Sequence, residues 1–183
     1  PTNDKEISVD FPQYRGLTFK EFWEMLPRKL DYFDYEEELT DLMTKHKKIW
    51  VKKATGLGIT EYFNRWVAWN CLKDNKWRDE QIDVTAIYIT GARQNLTNQI
   101  IGRMKGLFYT SEQGDPFKSK ESVIKLNGCK VEAFPTENLA AARGLNPRVI
   151  LLDEADFFPP SKQDEARTVA ERYIPKTNPW IAM

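Results

Sequence analysis

The sequence predicts an α/β fold: a mainly parallel central sheet flanked by helices, with a β-hairpin insertion. Three observations carry the prediction. A glycine-bearing stretch, Lys53-Ala54-Thr55-Gly56-Leu57-Gly58-Ile59-Thr60, lies between a short apolar run and a helical pattern. An aliphatic run, Val149-Ile150-Leu151-Leu152, ends in Asp153-Glu154. A further strand–helix unit separates the two. Strands alternating with helices, and strands apolar on both faces, are the signature of a parallel sheet.

The chain has 183 residues, enough for one sizeable core, so a single domain is expected. Residues 1–31 read as a lead-in and 32–183 as the core. Lys plus Arg and Asp plus Glu each number 27, a formal net charge of zero. A footprint for nucleic acid over the whole domain would be strongly basic, so only local patches are left. Cys71 and Cys129 make neither a metal-ligand cluster nor a disulfide framework, and read as reduced thiols in a cytosolic setting. No apolar run reaches membrane-spanning length.

Residues 1–10 are polar and read as loose, and 11–17, with Pro12 and Gly16, as loop. Thr18 is an N-cap and Glu21, three residues on, completes a capping box. Phe19, Phe22, Trp23 and Leu26 give that helix an apolar face, ended near Pro27. A second helix spans 35–45, with Leu39, Leu42 and Met43 on one side. Lys45-His46-Lys47-Lys48 is either a solvated helix end that complements the macrodipole or a contact for DNA phosphates. His46 is the only histidine, so no relay or metal site can draw on two.

Ile49-Trp50-Val51 is a short strand, and residues 61–72 form a helix with Phe63, Trp66, Val67 and Asn70 spaced three and four apart. Residues 73–81 break the pattern. A strand covers 83–90, and Gly91-Ala92 turn the chain into a helix reaching about 108, whose face is Leu96, Ile100, Met104 and Leu107. Arg93 and Gln94 in its first turn are either solvated or touch DNA or phosphate. Residues 109–120 are a polar loop. Alternating runs at 122–126 and 129–134 flank Asn127-Gly128, a strong hairpin signal. Residues 135–146 read as loop, and 148–152 as a strand buried on both faces. After the Phe157-Phe158-Pro159-Pro160 turn, Ser161 caps a helix to about 173, followed by loop at 174–178. Trp180-Ile181-Ala182-Met183 look like the start of a strand. With Pro1 at the other end, they suggest a piece cut from a longer protein.

The chemistry concentrates in two stretches. Gly58 and Thr60 match the second half of the phosphate-loop pattern G-x-x-x-x-G-K-[ST], while Ile59 stands where the lysine is usual and Lys53 where the first glycine is usual. Gly56 and Gly58 let backbone N–H groups approach an anion ahead of a helix N-terminus. Residues 52–60 are therefore the candidate phosphate cradle: Lys52, Lys53, Ala54, Thr55, Gly56, Leu57, Gly58, Ile59 and Thr60. Lys53, or Lys52 in its place, supplies the cation, and the Thr60 hydroxyl a ligand for Mg²⁺. The alternative is a glycine turn with two solvated lysines. Asp153 emerges at the carboxyl end of its strand, where open α/β sheets bind ligands, and can hold Mg²⁺. Glu154 can polarise an attacking water as general base. Arg143 either reaches a γ-phosphate, its own or a neighbour's, or makes a structural salt bridge.

Taken in order, Tyr35-Glu36, Lys53-x-x-Gly56-x-Gly58-Ile59-Thr60, Thr90-Gly91-Ala92-Arg93, the Asn-Gly hairpin, Ala142-Arg143-Gly144 and Leu151-Leu152-Asp153-Glu154 resemble a family. The chain looks like the ATPase domain of the large terminase subunit, the motor that packages DNA into the capsids of tailed viruses, over residues 32–183. The displaced lysine and the Arg143-Gly144 segment ahead of the acidic strand are the most specific features. The resemblance implies a P-loop NTPase of the additional-strand (ASCE) class that uses ATP and Mg²⁺ to pull double-stranded DNA. It implies a homo-oligomeric ring on the capsid portal protein, a small terminase subunit as partner, and a place in the host cytoplasm. The fragment alone is compatible with a monomer. As in helicase-like ATPases, Tyr35 and Glu36 are candidates for the adenine, although an exposed helix start explains them equally. The resemblance assigns an arginine at the position of Arg143 to the neighbouring subunit's nucleotide. The family's coupling motif and nuclease domain would lie beyond Met183, so no cleavage is expected. Two other readings compete: a helicase-like DNA-dependent ATPase, which would need a second motor domain, and a non-hydrolysing nucleotide-binding or assembly module with a degenerate loop.

Overall fold

The computed structural model describes residues 6–54, 56–91 and 93–183, with Gln94 described by its backbone. The core is a six-stranded sheet: β1 (Lys48–Ile49), β2 (Ala86–Thr90), β3 (Val123–Leu126), β4 (Cys129–Pro135), β5 (Val149–Leu152) and β6 (Trp180–Ala182). Their spatial order is β1-β6-β5-β2-β4-β3. All neighbours run parallel except β3 and β4, which form the hairpin. The additional strand is β6. It lies between the strand that feeds the glycine loop and the strand that ends in the two carboxylates.

The hairpin follows directly from Asn127-Gly128. Their φ values of 48° and 78° are both positive, which a two-residue turn of this kind requires, and Leu126 pairs with Cys129 across it. The central strands are buried throughout: every residue of β2 and of β5 is inaccessible. One face of the sheet presents Tyr88, Val131 and Leu151 to a large aromatic-rich core. The other presents Ile87, Ile89, Ile150, Leu152 and Phe134 to a smaller one.

Helix α3 (Ile59–Leu72) packs in the larger core with α1 (Phe19–Met25) and α5 (Gln94–Lys105), and α2 (Asp34–Lys45) contributes Leu39 and Met43. Helix α6 (Pro160–Glu171) covers the smaller core, and α4 (Lys76–Asp79) and α7 (Ile174–Thr177) are single turns. The capping box at Thr18 forms as expected, with the Glu21 amide donating to Thr18 at 3.2 Å and the Thr18 amide to Glu21 at 2.8 Å. The lead-in is part of the core. Tyr14, Phe19, Phe22, Trp23 and Leu26 are buried against α3, and Val9 forms a bridge with Leu126. Arg65 of α3 locks them together. It is fully buried, lies 4.3 Å over the Trp23 ring, donates to the Arg28 carbonyl at 2.9 Å and pairs with Glu61 at 3.2 Å.

Five expectations are corrected. Ser161 is not a cap: α6 begins one residue earlier with Pro160 at its first position, where a missing N–H costs nothing. Residues 174–177 are a helical turn, and 136–142 are 3₁₀ helix broken at Asn138, rather than loop. Leu42 is exposed although Leu39 and Met43 are buried, and Leu96 is exposed at the open end of α5 while Ile100, Met104 and Leu107 are buried. Cys71 and Cys129 are buried free cysteines.

Candidate active site

The glycine loop leaves β1 at an edge held by β6. The Val51 amide donates to Met183 at 2.8 Å and the Met183 amide to Ile49 at 3.0 Å, so the ladder runs to the first residue before the loop. Gly58, with φ of 69°, turns the chain into α3, whose first residue is Ile59. A Cβ at Gly56 or Gly58 would meet nothing within 4 Å, so the loop backbone is open to a ligand. From below, the Tyr35 hydroxyl donates to the Leu57 carbonyl at 2.8 Å and its ring stacks on Phe33. Tyr35 therefore supports the loop. Glu36, its companion in the sequence reading, is only 3% exposed and accepts from the Phe33 amide at 2.8 Å as the cap of its own helix. Burial raises its pKa above the usual carboxylate range. Thr55 lies outside the described residues.

The two motifs meet at one bond. The Thr60 hydroxyl donates to Asp153 Oδ1 at 2.8 Å, joining residues 93 apart in sequence. The Asp153 amide donates to the Ile89 carbonyl at 2.9 Å, which fixes the carboxylate at the carboxyl edge of the sheet. A hydroxyl that donates to a carboxylate turns its own lone pairs outward. Thr60 and Asp153 thus present two adjacent oxygen ligands. Burial pushes the Asp153 carboxyl above its ordinary range, opposed by the Thr60 bond, supported by the nearby Glu154 charge, and opposed by Lys53 and Arg103. A desolvated carboxylate of this kind is under-compensated, and a divalent cation fits it. No group of three or more His, Cys, Asp or Glu gathers among the described residues. One carboxylate and one hydroxyl suit Mg²⁺, which keeps several waters and shares the oxygens of a phosphate ligand.

A cavity of about 270 Å³ opens over this pair, lined by Lys52, Lys53, Thr60, Asp153 and Glu154 and floored by Tyr88 and Leu151. Lys53 is half-buried and its charge acts on Asp153, whereas Lys52 is exposed. Trp50 and Phe157 stand exposed at the rim. Glu154 is exposed with φ 52° and ψ 44°, a left-handed conformation that side chains rarely adopt. A second cavity of about 170 Å³, on the α5 side of the same carboxylates, is lined by Thr90, Gln99 and Arg103. Arg143 lines neither. It is 49% exposed and sits 3.5 Å from Glu165. In the basic run, Lys45 pairs with Asp41, and Lys47 lies 4.7 Å over the Trp180 ring. Arg93 is exposed at the start of α5.

Tyr88 and Arg103 escaped the sequence reading. Tyr88 is the one polar-tipped ring within an aliphatic strand, a signal that could have singled it out. Arg103 looked like any cation on a helix's polar face.

A family profile described as the N-terminal part of the T4-like-virus-type terminase large subunit matches residues 51–174. The chain belongs to the terminase large subunit family. The terminase fold is also found in a solved structure, an arginine-to-alanine mutant of the large terminase ATPase domain of Thermus phage P74-26. That domain superimposes with a TM-score of 0.56 at 13% identity, over 92% of this chain and 68% of that one. No curated protein matches the chain by sequence. The profile begins at the residue that leads into the glycine loop and ends after the acidic strand and α6. Both halves of the site therefore lie within it. Among the described residues, no helix is long and apolar enough to cross a membrane.

Proposed function

We propose that this domain binds and hydrolyses Mg-ATP and couples hydrolysis to the movement of double-stranded DNA into a capsid, as the motor of a packaging terminase. One observation carries the reading: the 2.8 Å bond from Thr60 to Asp153, which brings the phosphate loop and the acidic strand to a single point at the carboxyl edge of the sheet. Membership of the terminase family supports DNA and the packaging machinery as partners, and within that machinery our reading takes a portal and a small subunit.

The loop amides around Gly56 and Gly58 bind the phosphates, with α3 behind them adding the positive end of its dipole. Lys53 stands in for the usual loop lysine and neutralises charge on the outer phosphates. Thr60 and Asp153 hold Mg²⁺, which when bound neutralises the charge developing on the transferred phosphate. Glu154, exposed at the cavity wall, orients and deprotonates the attacking water. Arg143 lines neither cavity and pairs with Glu165 at 3.5 Å, and its 49% exposure suits exchange of that pairing for the nucleotide of a neighbouring subunit in a ring. Such an arginine contributes about 10³–10⁵ in rate in related NTPases.

Calorimetric titration of Mg-ATP, or a slowly hydrolysed analogue, into the chain and into Lys53→Ala tests the proposal. Binding by the unmodified chain, weakened at least tenfold in the variant, is expected. A folded chain that does not bind returns the domain to the rank of an assembly module.

A further inference from the structure

Tyr88 is a residue that this mechanism does not use. It lies in β2 opposite Leu151 and is 1% exposed. Its hydroxyl is buried and has no hydrogen-bond partner among the described residues. A phenol oxygen without a partner in an interior is unfavourable, and phenylalanine would fill the same volume without that cost. The side chain nevertheless has an outlet. It lines the floor of the larger cavity with Thr60, Phe63 and Asp153. The Asp153 charge acts on it, adding to the burial that raises its pKa.

We propose that the Tyr88 hydroxyl is a positioning group for the Mg²⁺ site, holding an ordered water that bridges to the Asp153 carboxylate and the hydration shell of the cation. The inference rests on the Mg-nucleotide reading of this same site. A buried water needs about 10–15 Å³ and two to four polar partners. The cavity of about 270 Å³ that Tyr88, Thr60 and Asp153 line has room for such a water, and the hydroxyl, sealed from solvent in the resting chain, meets it only on loading. Because Mg²⁺ retains several of its waters, the hydroxyl gains its partner when the cation is in place. An oxygen unpaired in the resting chain and paired in the loaded one biases the site toward the loaded state.

Tyr88→Phe removes one oxygen and keeps the ring. The test is a Mg²⁺ titration at a fixed concentration of slowly hydrolysed ATP analogue, read by calorimetry, alongside thermal melting in chelator. Half-saturating Mg²⁺ is expected to rise about five- to tenfold in the variant, the loss of one hydrogen bond to a charged network. Nucleotide affinity without Mg²⁺ stays the same, and the melting temperature in chelator stays the same or rises. An unchanged Mg²⁺ midpoint overturns the inference. A lower melting temperature in chelator also overturns it, since the hydroxyl would then support the resting fold. If the unmodified chain binds no nucleotide at any Mg²⁺ concentration, the parent reading falls and takes the inference with it.

Discussion

Thr60→Val interrogates the bond on which the site turns. Valine keeps the shape of threonine and deletes the oxygen that donates to Asp153 at 2.8 Å. A hydrogen bond to a charged group contributes about 1.5–3 kcal/mol. Both side chains are half-buried, so water replaces part of what is lost and the lower half of that range applies. In a chain of 150–250 residues each kcal/mol moves the melting temperature by about 2–4 °C. The metal-free variant should therefore melt about 3–9 °C below the parent. The Thr60 bond also opposes the upward push of burial on the Asp153 carboxyl, so its loss moves that pKa further up. With one oxygen ligand gone, half-saturating Mg²⁺ should rise by about tenfold or more, equivalent to about 1.4 kcal/mol. Scanning fluorimetry in chelator and a Mg²⁺ titration with nucleotide present measure the two effects, and Thr60→Ser should recover both. If valine melts with the parent and takes Mg²⁺ at the same midpoint, the loop and the acidic strand are not coupled through this bond.

Glu154→Gln should retain Mg-ATP binding while steady-state phosphate release falls about 10²–10⁴-fold, the usual contribution of a general base; parental turnover in that variant would remove Glu154 from the role. Asp153 sets a pH dependence. Its folded-state pKa lies above the ordinary aspartate value, chiefly through burial, so the folded chain binds this proton more tightly than the unfolded chain. In chelator its contribution to stability is therefore fully present below the unfolded value and is lost as pH rises through the folded one. Melting curves of the parent minus those of Asp153→Asn should show that decline, and a flat difference would refute it.

The sequence was most legible where a single residue type has a single conformational use. Asn127-Gly128 permits the left-handed pair a tight hairpin needs, and Thr18 with Glu21 closes a capping box by spacing alone. The candidate site was half legible. Its loop and acidic strand announce themselves through glycine and through an aliphatic run that stops at carboxylates. Their meeting at Thr60 and Asp153 depends on the crossover order of the sheet, which no local pattern contains. Glu36 looked like a ligand because a carboxylate early in a helix can face a cavity or fold back on its own cap. Only the placement of Phe33 decides for the cap. Ser161 competed with a proline that fits the first helical turn better. The lock of Arg65 on Trp23 joins residues 42 apart through a cation within an apolar helix face, against the ordinary expectation that arginine is exposed.

The left-handed backbone at Glu154 has an evolutionary side. Glycine would relax that conformation, and asparagine would tolerate it better than glutamate does. Either change would also remove the carboxylate that the proposed chemistry needs. Selection for thermal robustness and selection for turnover thus pull this codon in opposite directions. A library screened only for survival on heating should lose the glutamate early. One screened for packaged genomes should keep it and accumulate its compensations elsewhere in the fold.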